Sequence, residues 1–129
     1  MFHYTVETTM DMPKAIENLE ASLKEEGFGV LWDFDLKGKL EEKGLEYDSE
    51  TRILEVCNPH EAKRVLEMNK LAGYFLPCKI VVFSDDEGRT KIGMPKPTAL
   101  IEAVKDDKLM EIAEDIEKRL IHCIDKIVK

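Results

Sequence analysis

Two cysteines in the middle of this 129-residue sequence are the side chains best placed to do chemistry. Cys57 ends a β-prone run and precedes Asn58-Pro59, a pair typical of a helix start, while Cys78 begins a second β-prone run. Backbone N–H groups at the start of a helix stabilise an anion, so they can lower the pKa of a thiol placed there. If the two strands pair in the right register, we expect both sulfurs to face one pocket.

Such a pair of thiols has two kinds of interpretation, and the sequence leaves both open. The pair can act as a redox couple, as a ligand-binding site or as half of a metal site. Alternatively, both cysteines are small buried hydrophobic residues, because free Cys is among the residue types most often buried.

A histidine follows the first cysteine by three residues and adds an imidazole to the candidate site. Thiolate and imidazole ligands suit zinc or a similar ion, so Cys57, His60 and Cys78 are the candidate metal ligands, and zinc is one candidate for a cofactor that the sequence leaves open. A fourth ligand requires His3 or His122 to lie close to them. The alternative for His60 is a solvated residue in the first turn of a helix.

Two further pairs of polar residues are less suited to chemistry. His122 and Cys123 are adjacent in a predicted helix, where neighbouring side chains point about 100° apart and do not readily hold one ion. Cys123 also falls on an apolar stripe, so we predict a core residue. Asp33 and Asp35 share the polar face of a predicted strand and are interpreted as its solvent-facing side.

Five strands and several helices are expected to position these residues. Alternating and β-branched runs predict strands over residues 2–8, 28–36, 52–57, 78–84 and 89–94. Capping and apolar periodicity predict helices from Asp11 to Gly27 and over residues 37–43, 58–68, 98–104 and 106–128, with an ordered loop over residues 71–77. This order predicts an α+β fold, a two-layer sandwich in which one mixed five-stranded sheet carries helices on one face.

Two apolar stripes predict which side chains face the core. The second strand places apolar residues at every second position, which are Phe28, Val30, Trp32, Phe34 and Leu36. The helix after Cys57 has a predicted buried stripe of Ala62, Val65 and Leu66.

The charge balance disfavours several classes of partner. The chain has 19 basic and 27 acidic residues and a formal net charge of −8, so neither nucleic acid nor an anionic membrane is an expected partner. The first residues lack the basic and apolar segments of a signal peptide, and the three cysteines form an odd set without a C-x-x-C pair. We therefore expect a cytoplasmic protein with reduced thiols.

Two short motifs carry a resemblance to a known family. Cys57-Asn58-Pro59 at a helix start, followed some twenty residues later by Leu76-Pro77-Cys78, a β-run and a glycine turn, resembles the domain of unknown function family 302. The resemblance covers essentially the whole chain, residues 1–129, as a single domain. It implies a two-layer fold of β-α-β(4)-α type and pairing as a homodimer, and it implies no catalytic residues because the family has no established reaction.

Three functional hypotheses follow. The first is a non-enzymatic binding or sensing domain for a small molecule, a thiol partner or a metal, with predicted ligand-binding residues Cys57, Asn58, Pro59, His60, Tyr74 and Cys78. The alternative is a thiol-dependent redox enzyme that uses Cys57 as its reactive group. The third is an interaction scaffold in which the cysteines are inert.

Overall fold

The chain forms one antiparallel sheet and a layer of helices in a computed structural model that describes residues 1–128. The strands are β1 (His3–Thr8), β2 (Gly29–Asp35), β3 (Thr51–Cys57), β4 (Cys78–Ser84) and β5 (Thr90–Pro95). The α-helices are α1 (Met12–Glu25), α2 (Leu36–Glu42), α3 (Pro59–Met68), α4 (Pro97–Ile101) and α5 (Asp107–Val128). Short 3-10 helices cover Lys70–Phe75 and Glu102–Val104.

The strand order across the sheet is β1-β5-β4-β3-β2, and all four strand pairings are antiparallel. The sheet is therefore fully antiparallel. The element order had predicted a mixed sheet, and this part of the prediction was wrong. The physical reason is the position of the two strands that α1 connects. β1 and β2 run in the same direction, but they lie at opposite edges of the sheet and do not pair with each other.

Helices α1 and α5 pack against each other and cover one face of the sheet, which confirms the α+β fold with helices on one face. The core between the two layers contains fully buried aliphatic side chains from both, among them Leu19, Leu54, Ile80, Ile92 and Leu120. Cys123 is 1% exposed within this core, as the apolar stripe of the last helix predicts.

The predicted ends of the first helix are confirmed. The Asp11 side chain caps α1 by accepting a hydrogen bond from the backbone N–H of Lys14, and Pro13 lies in the first turn. Gly27 follows the helix with a φ of +83°, the left-handed conformation that favours glycine.

The prediction for β2 was wrong in its central part. The register of β2 against β3 shifts between Val30 and Trp32, which is a β-bulge at Leu31. A bulge inserts one residue and so reverses which face the following side chains occupy. Trp32 and Phe34 therefore lie on the sheet face away from the helices, where their rings stack with centroids 4.9 Å apart.

The bulge also changes the environment of the two aspartates that were interpreted as solvent-facing. Asp33 is half-buried, and its carboxylate accepts a hydrogen bond of 2.8 Å from Nε of Arg52. Asp35 is exposed and accepts a hydrogen bond from the backbone N–H of Gly38, which caps α2. Leu36, predicted to end the strand, is the first residue of α2.

Three smaller expectations also differ from the structure. The segment predicted as a loop over residues 71–77 contains the 3-10 helix Lys70–Phe75, because its apolar residues pack beside α3. Leu66 is 37% exposed instead of buried, whereas Val65 is buried. The helix predicted over residues 98–104 is α4 followed by the 3-10 helix Glu102–Val104.

Across residues 1–128, no helix is both long and apolar enough to cross a membrane.

Candidate ligand-binding cavity

A cavity of about 420 Å³ lies between the sheet and the helices α3, α4 and α5. Its sheet side is formed by Val56, Cys78 and Met94, which come from the three adjacent strands β3, β4 and β5. Its helical side includes Val65 from α3 and Ala113 from α5. Strands β3 and β4 meet the cavity at the end where the chain enters α3 and leaves the 3-10 helix Lys70–Phe75.

Cys57 and Cys78 both line this cavity. The residue on β3 that lies directly opposite Cys78 of β4 is Val56. Cys57 is the next residue along β3. Successive side chains of a strand point to opposite faces, and the two thiols are therefore not a directly facing pair. Cys57 contributes to the lining because it is the last residue of β3, at the edge of the cavity.

Both thiols have a raised pKa, contrary to the lowered value expected at a helix start. Burial raises the pKa of Cys57. Burial, and to a smaller extent the nearby Cys57, raises the pKa of Cys78 to about 11. A thiol with a raised pKa is mostly protonated at neutral pH and is therefore a poor nucleophile. The structure thus gives no support to Cys57 as an activated redox or catalytic thiol.

Asn58 lines the cavity but has a structural role. It is 6% exposed, and its Oδ1 accepts hydrogen bonds from the backbone N–H groups of His60 and Glu61 at 3.0 and 3.3 Å, which caps α3. Its Nδ2 donates to the carbonyl of Glu26 at 3.3 Å. The side chain therefore ties the start of α3 to the end of α1 through both its Oδ1 and its Nδ2.

Three other predicted site residues differ in their relation to the cavity. Tyr74 lines it and is 84% exposed, so its ring lies at the opening to solvent. Pro59 and His60 are exposed in the first turn of α3 and are not part of the lining. Of the six predicted ligand-binding residues, the cavity thus brings together Cys57, Asn58, Tyr74 and Cys78.

The predicted zinc ligands do not gather into one group. Among residues 1–128, no set of three or more His, Cys, Asp or Glu side chains lies close enough together to hold a metal ion. His60 is exposed and is not part of the lining of the cavity that Cys57 and Cys78 share. The zinc site at these three residues therefore stays a prediction without structural support.

The sequence interpretation missed a carboxylate in the cavity wall. Glu61, in the first turn of α3, lines the cavity with a side chain that is 15% exposed. Its Oε2 accepts a hydrogen bond from Nη1 of Arg119, and this bond is the largest cause of the raised pKa of Arg119. Arg119 also donates to the carbonyl of Glu26 at 3.1 Å, and its guanidinium carbon lies 5.3 Å from the centre of the Phe28 ring.

The position of Glu61 along α3 is the sequence signal for this buried carboxylate. Glu61 precedes Val65 by four residues and follows Asn58 by three, so it shares their face of α3. That face is the buried one, as the exposures of Asn58 (6%) and Val65 (6%) demonstrate. A charged residue on a buried stripe is an informative exception to the usual pattern.

Comparison with known proteins gives two findings. The family model described as "Domain of unknown function DUF302" matches residues 4–127. A solved structure described as "Crystal structure of uncharacterized conserved protein DUF302 from Bacillus stearothermophilus" is similar to the chain, with 60% sequence identity, a TM-score of 0.94 and coverage of 97% of each chain. No curated protein matches the sequence.

Proposed function

The chain belongs to the DUF302 family of domains of unknown function, and we propose that it acts as a binding domain for a small apolar ligand. The cavity of about 420 Å³ is the observation that carries this proposal. Small-molecule sites in proteins are typically concave, mostly apolar and roughly 300–1,000 Å³ in volume. The cavity meets these criteria and also has an opening to solvent beside Tyr74.

The lining favours an apolar ligand held without a covalent bond. Val56, Val65, Ala72 and Met94 supply an apolar surface that is rigid because each of these residues is buried in the core cluster. The Cys78 thiol, with a pKa of about 11, is neutral at physiological pH and adds a polarizable contact instead of a nucleophile. These features support binding or sensing over thiol-dependent redox catalysis.

Fluorescence titration with 1-ethylnaphthalene, a neutral apolar probe, would test the proposal. We expect saturable binding with a dissociation constant on the order of 100 μM, the affinity ordinary for a ligand of this size. Ala113→Leu adds a larger side chain to the cavity wall and should weaken binding at least about tenfold. Ala103→Leu is the matched control, because Ala103 is exposed and not part of the lining.

Two results would count against a binding cavity. The first is the absence of saturable binding to the unmodified protein. The second is equal binding by the Ala113→Leu and Ala103→Leu variants, which would place the probe elsewhere on the surface.

We also propose that two copies of the chain pair through the sheet face that the helices leave uncovered. Strand pairing puts Trp32, Phe34, Ile53, Val81 and Phe83 together on this face. Trp32 is 55% exposed and the other four side chains are partly exposed, so together they form an apolar patch that a monomer would present to water.

The charges of this open sheet face support a second copy as its partner. On this face Glu7 lies opposite Lys91 and Glu55 lies opposite Lys79 in neighbouring strands, so the two negative and two positive charges sum to zero. Lys91 Nζ lies 3.4 Å from Oε1 of Glu7. The face is therefore close to neutral although the chain carries a net charge of −8, and two copies of it would not repel each other strongly.

Sedimentation of the purified protein would test the homodimer. We expect a dimer at micromolar concentration and a monomer for Trp32→Glu, which adds a charge to the apolar area. Leu66→Glu, on the exposed side of α3, is the control that should remain dimeric. A monomeric unmodified protein, or a dimer that Trp32→Glu does not dissociate, would contradict the pairing.

We further propose that the protein works in a reducing compartment such as the cytoplasm. The support is the state of its thiols, since Cys57, Cys78 and Cys123 are all free. Fractionation of cells followed by detection of the protein would test this, and recovery from an oxidising compartment would contradict it.

A further inference from the structure

One carboxylate oxygen in the cavity wall is buried without a hydrogen-bond donor. Among residues 1–128, Oε1 of Glu61 accepts no hydrogen bond, whereas Oε2 binds Arg119. Nε of Arg64 lies 3.0 Å from Oε1, close enough for an ion pair but not aligned as a hydrogen bond. The ion pair leaves this buried acceptor without an aligned hydrogen bond, and a ligand that donates to Oε1 would supply one.

The charges around Glu61 favour a cationic group over an anionic one. The ion pairs connect three carboxylates with two guanidiniums, which belong to Glu26, Glu61, Asp115, Arg64 and Arg119. One negative charge is therefore in excess. The side chain of Arg64 is 46% exposed, so it can move into solvent when another donor approaches Oε1.

The rest of the lining suits an aromatic ring. Three sulfur-bearing side chains, Cys57, Cys78 and Met94, line the cavity together with the rings of Phe28 and Phe75. Sulfur and aromatic groups make favourable contacts with aromatic ligands. A volume of about 420 Å³ holds roughly a dozen non-hydrogen atoms if each occupies about the 30 Å³ of a water molecule.

On the premise that the cavity binds a small apolar molecule, as proposed above, we infer that its ligand is a ring-containing amine whose ammonium group binds Oε1 of Glu61. The ring then occupies the apolar part of the cavity between the sheet and α5. The ammonium group donates to the carboxylate oxygen that accepts no hydrogen bond from the protein, and it takes the place of the Arg64 guanidinium beside that oxygen.

A set of probes with the same ring system separates this inference from the general binding proposal. We would compare 1-naphthylmethylamine, whose head is cationic, with 1-ethylnaphthalene, which has the same number of non-hydrogen atoms and no donor. We expect the amine to bind at least about tenfold more tightly, because a charge-assisted hydrogen bond is stronger than a neutral one. Binding of 1-naphthoate, an anion, should be weaker than that of both other probes.

Matched variants assign the preference to Glu61. Glu61→Gln retains the shape of the side chain and removes its charge, so the ratio of the two dissociation constants should fall below about threefold. Glu114→Gln makes the same change of charge on the exposed side of α5, away from the lining, and should preserve the tenfold ratio. Retained binding of 1-ethylnaphthalene by Glu61→Gln would demonstrate that the cavity of this variant is intact. If this variant does not fold, the relative affinities of the three probes for the unmodified protein decide whether the cavity prefers an amine.

The outcomes distinguish the two proposals. Equal affinities for the amine and the hydrocarbon, tighter binding of 1-naphthoate, or an equal effect of both Gln variants would overturn the amine but leave a binding cavity. Failure of all three probes to bind would overturn the cavity proposal and the amine with it.

Discussion

Cys57 and Cys78 line one cavity without facing each other across the sheet, because the residue paired with Cys78 is Val56. Burial is the main cause of the raised pKa at both thiols, and the proximity of Cys57 adds to the pKa of about 11 at Cys78. The two cysteines thus form a neutral, polarizable part of the cavity wall.

Thiol labelling should consequently be slow. At pH 7.5, we expect Cys57 and Cys78 to react with iodoacetamide more slowly than free cysteine, with Cys78 the slower of the two, because the thiolate is the reacting species. Labelling rates measured for the Cys57→Ser and Cys78→Ser variants show which cysteine gives rise to which rate. The buried Cys123 is present in both variants. A Cys57 that reacts faster than free cysteine would revive the redox-enzyme hypothesis.

Alkaline pH should destabilise the protein through Tyr4. The hydroxyl of Tyr4 donates a hydrogen bond to Asp125, and this bond, with burial, raises the pKa of Tyr4 to about 12. The folded state therefore holds the proton more tightly than the unfolded state, where the pKa is about 10. The resulting stabilisation is complete below about pH 10 and is lost as the pH rises toward 12.

Urea unfolding between pH 8 and pH 12 would measure this loss. We expect Tyr4→Phe to cost about 1 kcal/mol at pH 8, the usual net value of one hydrogen bond. The difference in unfolding free energy between this variant and the unmodified protein should shrink as the pH rises above 10. Tyr47→Phe is the control, since Tyr47 is 44% exposed, and a difference at Tyr4 that does not change with pH would contradict the assignment.

The Asn58 cap should matter more than the Asp11 cap. Asn58 is 6% exposed, accepts two hydrogen bonds that cap α3 and donates a third to the carbonyl of Glu26, so Asn58→Ala should lower the unfolding free energy by about 2 kcal/mol. Asp11→Ala removes a cap at an exposed position and should cost about 1 kcal/mol. Equal losses in urea unfolding would indicate that burial of Asn58 adds nothing to its capping role.

Local sequence signals predicted most of the elements. The alternation of residues 2–8, the Asp11 cap and the left-handed Gly27 depend on neighbours close in sequence, and the structure confirms each of them. The position of Asn58 at the start of a helix was predictable for the same reason.

Features that depend on distant parts of the chain were not predictable in this way. The bulge at Leu31 depends on how β2 aligns with β3, and the alternation of β2 carries no sign of it. Glu61 is buried because Arg119, 58 residues later, supplies a partner for its carboxylate. The cavity itself results from the way α3, α4 and α5 pack over the sheet, so the sequence indicated some of its residues but not its existence.

Amide chemical shifts during titration with 1-ethylnaphthalene test the central claim of a binding cavity most directly. We predict saturable shifts at Val65, Ala72, Cys78 and Ala113, which line the cavity on four different segments. Trp32 and Ile53, on the open sheet face, should remain unchanged. Shifts confined to the open sheet face, or no saturable shifts at all, would contradict it.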